Sequence, residues 1–251
     1  MATPKSDPSL TNFSGDVNVS RELPSKEKIE EAAEIPILDS DGKERPFKNL
    51  YTSSNAHEKR RVLIIFVRHF FCGNCQEYLR VLSSSLPSPS ALPAGTSLAI
   101  IGCGGPSLIN MYKEATACQY PIYTDPSRRL YKIFEMICTL NLGNRNPQYI
   151  RHSLMSGVVQ GIVQALKRVY EGDVFKSGDI RQVGGEFLFE ITGEVNQASD
   201  DNLTKTSDSK NDCGNVTWCH RMANTRDHSE VEVIRRILGV DSSDSGEKET
   251  R

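Results

Sequence analysis

The sequence lacks any apolar run approaching the roughly 20 residues needed to cross a bilayer. It also lacks an excess of either charge: 30 Lys and Arg stand against 32 Asp and Glu, a net of −2. That balance makes no electrostatic case for a nucleic acid or an anionic membrane as partner. The opening segment, MATPKSDPSLTNFSGD, has no apolar core of the kind a secretory signal requires. The seven cysteines are odd in number and scattered, which is not an extracellular disulfide framework. A reducing, cytoplasmic setting is therefore expected, and the N-x-[ST] patterns beginning at Asn12, Asn18, Asn202 and Asn215 are read as chance matches. Hydrophobic residues make up only 37% of the chain. Polar tails and insertions around a compact core are expected from that figure.

What the chain does have is the stretch RVLIIFVRHFFCGNCQEYLR at 61–80. Residues 62–67 are an unbroken apolar run rich in β-branched side chains, the mark of a strand buried on both faces. Cys72-Gly73-Asn74-Cys75 follows, and then Tyr78, Leu79 and Leu82 fall at helical spacing. The pattern is strand, tight turn carrying two thiols, helix. At a helix N-terminus, unpaired N–H groups and the helix dipole stabilise an anion. Such a site brings a cysteine pKa from about 8.5 to about 3.5–7.5. Residues three apart within a helix have Cβ atoms roughly 5–6 Å apart, whereas a disulfide needs about 3.5–4.5 Å. The pair can close only if Cys72 lies at the non-helical end of the first turn. That geometry predicts an exposed nucleophile, Cys72, and a buried resolving partner, Cys75. Gly73 permits the turn, and Arg68 and His69, just upstream, are candidates to add positive potential.

Two blander readings compete. Both thiols could be inert packing groups in a binding module. Alternatively, C-x-x-C could be half of a zinc site, which needs two further ligands at suitable spacing. The remaining cluster, Cys213, Cys219 and His220, has a C-x5-C-H spacing that fits no common zinc module. No metal is expected. The Gly-rich turn at 102–105 is not G-x-G-x-x-G, so no dinucleotide cofactor is expected either.

In chain order, residues 1–27 read as a disordered tail, with a short charged helix from about 25 to 33. IPIL at 35–38 reads as a strand, placed at a sheet edge by Pro36. Residues 97–102, SLAIIG, form a second buried strand joined to the first by the thiol-bearing helix, a βαβ unit. Cys103 should emerge near Cys72, either as a further resolving thiol or, better, as a small core residue. Cys118 and Cys138 are read as packing residues. An insertion at 141–178 carries a helix over about 147–171, with Ile150, Leu154, Val158, Ile162 and Leu166 at helical spacing. EFLFE at 186–190 and VTWCH at 216–220 form a hairpin around a flexible polar loop at 196–215. Ser229 and Glu232 suggest a capping box for the last helix, and 241–251 is a second tail. The structured domain spans 28–240.

The order of elements is that of a thioredoxin-like fold: an α/β domain with a mixed central sheet flanked by helices, here with extra N-terminal strands. FVRHFFCGNC at 66–75, YTDPSRRLYKIF at 123–134, QVGGEFLFE at 182–190 and HRMANTRDH at 220–228 resemble the peroxiredoxin-like 2 family, thioredoxin-like proteins with an alkyl hydroperoxide reductase/thiol-specific antioxidant domain. The resemblance runs from about 33 to 240. It implies thiol-disulfide exchange or weak peroxide reduction through Cys72 and Cys75. A peroxide or disulfide would be the substrate, and a cellular thiol of the thioredoxin or glutathione type the reductant. Beyond the thiol motif, the other three stretches show no evident chemistry of their own. The chain departs from the peroxidatic pattern P-x-x-x-[TS]-x-x-C. Counted from Cys75, the slots hold Arg68 and Cys72; counted from Cys72, they hold Ile65 and His69. Where thioredoxins carry a cis-proline beside the thiols, this chain has Val183-Gly184, and Gly184 allows close backbone approach.

Overall fold

The computed structural model describes residues 18–52, 59–144, 147–150, 177–191 and 214–243. Helix α1 (Lys26–Ala33) starts at Ser25, whose hydroxyl accepts from Lys28 N–H. Two short strands follow, β1 (Pro36–Leu38) and β2 (Glu44–Pro46). Strand β3 (Arg60–Phe66) leads into α2 (Gly73–Ser85), β4 (Thr96–Gly102) and α3 (Ile109–Thr116). Strand β5 (Ile122–Thr124), the short helix α4 (Arg129–Ile133), the hairpin strands β6 (Gly185–Ile191) and β7 (Asn215–Arg221), and α5 (Val231–Leu238) complete the order.

The strands form one mixed sheet, ordered β2-β1-β5-β4-β3-β6-β7. β3 runs parallel to β4 and antiparallel to β6. The thioredoxin-like α/β architecture expected from the sequence is therefore present. So is the reason for the apolar run: β3 sits inside the sheet with helices on both faces, and Leu63 to Phe66 are fully buried. Strand parity divides its side chains. Leu63, Ile65 and Val67 join α2, α3 and α5 on one face, while Val62, Ile64 and Phe66 join α1 and α4 on the other.

Several expectations are corrected. β1 is not an edge strand: it lies between β2 and β5, and β2 is the edge. Pro36 is tolerated because β1 meets β5 through Leu38 and Thr124. The capping box at α5 does not form. Glu230 is the N-cap without a side-chain bond, and Ser229 donates elsewhere. Cys138 is exposed rather than packed, whereas Cys118 is buried. The helix expected over 147–171 falls almost wholly outside the described residues, as do most of the 196–215 loop and most of both tails.

Candidate active site

The site begins where β3 ends. The chain passes through Val67, Arg68 and His69 into a turn closed by the Cys72 N–H to His69 carbonyl bond (3.0 Å). Gln76 Nε2 donates to the Phe70 carbonyl at 2.9 Å and ties the turn to the helix. Cys72 is the N-cap of α2, extended at φ −73° and ψ 107°, and no side-chain cap bond competes for the first-turn N–H groups. The Gln76 N–H to Cys72 carbonyl bond (3.0 Å) opens the helix. The sulfur thus sits where the backbone presents partial positive charge.

Arg68 folds back over this sulfur. Its Nη1 donates to Cys72 Sγ at 3.1 Å, while Nε and Nη2 donate to the carbonyls of Gln182 (3.2 Å) and Ile180 (2.5 Å). The guanidinium is thereby fixed in place. The Cys75 thiol, hydrogen-bonded to the Cys72 sulfur, pulls the Cys72 pKa down, and the Arg68 charge and the Cys75 N–H add to this. Together they outweigh burial and bring the pKa to about 6. Cys75 moves the opposite way: burial first, then the adjoining Cys72 sulfur, push its pKa up. One thiol is an anion near neutral pH and the other holds its proton, and both are free.

Not every candidate behaves as the sequence suggests. Cys72 is only 3% exposed, against the expectation of an exposed nucleophile. The reason is Arg68, itself buried, which closes over the helix tip by bonding to carbonyls more than a hundred residues away. His69 does not supply positive potential. Burial, then repulsion from Arg68, lower its pKa to about 4, so the ring is neutral, and its buried Nδ1 has no hydrogen-bond partner among the described residues. Gly184 does allow close approach. A Cβ there would lie 1.8 Å from the Phe66 carbonyl oxygen, so the 182–184 segment can press on the end of β3 and present the Gln182 carbonyl to Arg68. Cys103 packs with the other face of the sheet, and burial pushes its pKa up to about 12.

Two residues from motifs that showed no chemistry in the sequence prove to be in the site. His228 Nε2 is 3.4 Å from Cys75 Sγ, and Nδ1 is 2.6 Å from Glu186 Oε1. Ser229 Oγ donates to the second Glu186 oxygen at 3.1 Å. The Tyr78 ring stacks flat on the imidazole, centroids 4.2 Å apart. Both charged-type side chains, His228 and Glu186, are 0% exposed. A signal for Glu186 exists: in Gly185-Glu186-Phe187-Leu188 it is an acid on the strand face shared with Leu188, where alternation demands an apolar group. Nothing local marks His228, which reaches the site from the loop before α5.

Among the described residues no group of three or more His, Cys, Asp and Glu is arranged to hold a metal, and no helix is long and apolar enough to cross a membrane. A cleft of about 690 Å³, lined by Trp218, His220, Arg226, Asp227 and Ser229 among others, adjoins the His228 loop rather than Cys72.

Comparison with known proteins supports the resemblance drawn from the four motifs. The AhpC/TSA antioxidant enzyme family matches residues 78–201, a span that begins just after the C-x-x-C. Human peroxiredoxin-like 2C is 29% identical over 214 residues, covering 83% of this chain and 79% of that protein. The Takifugu rubripes protein of the same name is 26% identical over 222 residues, covering 85% and 82%. Among solved structures, the bacterioferritin comigratory protein of Xanthomonas campestris superposes with a TM-score of 0.47 at 12% identity, covering 90% of this chain and all of that one.

Proposed function

We propose that this relative of the peroxiredoxin-like 2 proteins is a thiol-dependent redox protein that cycles Cys72 and Cys75 between dithiol and disulfide. The Cys72 thiolate attacks a disulfide sulfur, forming a mixed disulfide and releasing one thiolate. Cys75 then attacks the Cys72 sulfur, the second substrate thiolate leaves, and the Cys72–Cys75 disulfide remains. A cellular thiol of the thioredoxin or glutathione type reopens it by the same exchange. The cycle belongs in a reducing compartment, the cytoplasm. One observation carries this reading: a sulfur at the N-cap of α2, 3.1 Å from a fixed guanidinium, with a protonated thiol one turn on.

Disulfide exchange fits better than fast peroxide reduction. Three of the five Arg68 N–H groups already donate, to Cys72, Gln182 and Ile180, and no hydroxyl stands at the peroxide-orienting slot. The burial of Cys72 favours one rival, a binding module whose thiols only pack. Turnover assays with disulfide and peroxide, run on the parent, Cys72→Ser and Cys75→Ser, separate the two. Loss of turnover in Cys72→Ser, with a trapped mixed disulfide in Cys75→Ser, supports the cycle. Full turnover in both variants would falsify it. Alkylation that never reaches Cys72 below pH 8 supports the module.

A further inference from the structure

The dithiol cycle leaves one group without an explanation. Cys75 must lose its proton to attack, yet burial, the largest cause of its raised pKa, holds that proton on. Solvent cannot take it, because Cys75 is fully buried. Among the described residues, a buried imidazole touches this sulfur: that of His228, backed by Glu186. A stabilising role does not account for the pair. Two ionisable groups withdrawn from water are costly even when matched, and apolar side chains of similar volume serve stability as well or better. The assembly is also fully oriented. A carboxylate can only accept, so the 2.6 Å contact to Glu186 and the Ser229 hydroxyl place the imidazole proton on Nδ1. Nε2 is then the nitrogen that faces Cys75 Sγ, at 3.4 Å, and in the neutral ring it is the one that can accept. The stacked Tyr78 ring holds the imidazole in that plane.

We infer that His228 is the proton acceptor for Cys75 in the resolving step, and that Glu186 is the positioning residue that sets its tautomer and steadies the cation it becomes. This inference rests on the dithiol cycle proposed above. In the step, the Cys75 proton passes to Nε2 of His228. The Cys75 sulfur bonds to Cys72 and breaks the bond to the substrate sulfur, which leaves with the electron pair. The proton on Nε2 then goes to the leaving thiolate or to solvent. The two protein thiols are oxidised to a disulfide, and the substrate disulfide is reduced to two thiols. The ionisable groups facing the ring are Glu186 from β6, Cys75 and Tyr78 from α2, and Tyr149 from the 147–150 turn, with Cys72 and Arg68 just beyond Cys75.

The test is single-turnover reaction of the reduced full-length protein with dithiodipyridine, whose thione is a good leaving group and needs no acid. Attack by Cys72 releases one coloured thione, and resolution by Cys75 releases the second. Cys72→Ser and Cys75→Ser assign the phases against the background of other cysteines. In His228→Asn the first phase should stay within about threefold, while the second slows by about 10²-fold, the usual scale of general-base loss. In Glu186→Gln the second phase should slow by about tenfold and its pH profile should move, a change that packing alone would not produce. A second phase unchanged in His228→Asn, or both phases slowed equally, overturns the inference. If His228→Asn does not fold, the parent protein still decides. A solvent deuterium effect of about twofold on the second phase supports proton transfer, and none overturns it. A first phase that survives in Cys72→Ser sinks the dithiol cycle, and this inference with it.

Discussion

The two faces of the sheet are made by the same strands and could hardly differ more. On one face Phe47, Phe66, Phe134, Phe187 and Phe189 form a continuous aromatic cluster with α1 and α4. Its buried Tyr131 hydroxyl closes the polar accounts locally, donating to the carbonyls of Val67 and Ile101. On the other face Cys72, Cys75, Glu186 and His228 are set among Tyr78, Tyr112, Leu188 and the helices α2, α3 and α5. Strand β6 serves both: Phe187 and Phe189 point one way, Glu186 and Leu188 the other. A two-residue period is what lets one strand be a hydrophobic plank on one side and a carrier of chemistry on the other. The first face holds the sheet together. The second accommodates two thiols and a buried His228–Glu186 pair.

That division can be broken or sharpened. The largest effect belongs to Cys72→Ser, which should bring disulfide turnover to background while the melting temperature stays within a few degrees, as read by thermal denaturation. Next comes Phe187→Ala on the opposite face. It should cost about 3–5 kcal/mol in urea melts, yet the folded protein should keep the alkylation profile of Cys72. A shifted profile would show that the faces are not independent. Arg68→Met should raise the pH midpoint of Cys72 alkylation by iodoacetamide from near 6 by about one unit or more, since an adjacent opposite charge is worth roughly 1–3 units.

A subtler outcome concerns stability against pH. Folding lowers the Cys72 pKa from its ordinary 9.0 to about 6, so the folded chain binds fewer protons than the unfolded one between those values. Stability from this thiolate is complete above pH 9 and is lost as the pH falls through 6. The parent's unfolding free energy should therefore gain on that of Cys72→Ser as the pH rises across this window. Smallest is the effect at Cys103, on the aromatic face. With its pKa pushed up to about 12 by burial, it should resist alkylation at pH 8, and Cys103→Ala should leave the Cys72 profile unchanged.

The strand–turn–helix at 61–85 was readable because each part has a local cause. β-Branched apolar residues make a strand buried on two faces, a small turn follows, and helical spacing resumes after Cys75. Ser25 and Gly239 mark helix ends by equally local chemistry: a hydroxyl cap, and a glycine at φ 72° in the left-handed region. Ser229 shows where such reading fails. Its spacing to Glu232 suits a capping box, but its hydroxyl bonds to Glu186, 43 residues earlier in the chain.

Residue identity and short-range spacing were enough to specify a pair of thiols at a helix tip and the apolar strand behind them, because backbone geometry over a few residues controls both. Whether that tip is open or covered, and which buried ring meets the inner thiol, depended on chain segments far apart in number meeting in space. Arg68 reaches across to the 180–182 segment, and His228 meets Cys75 from 153 residues away. Long-range contacts of this kind leave no periodic trace along the chain, since only packing of the complete sheet brings their partners within bonding distance.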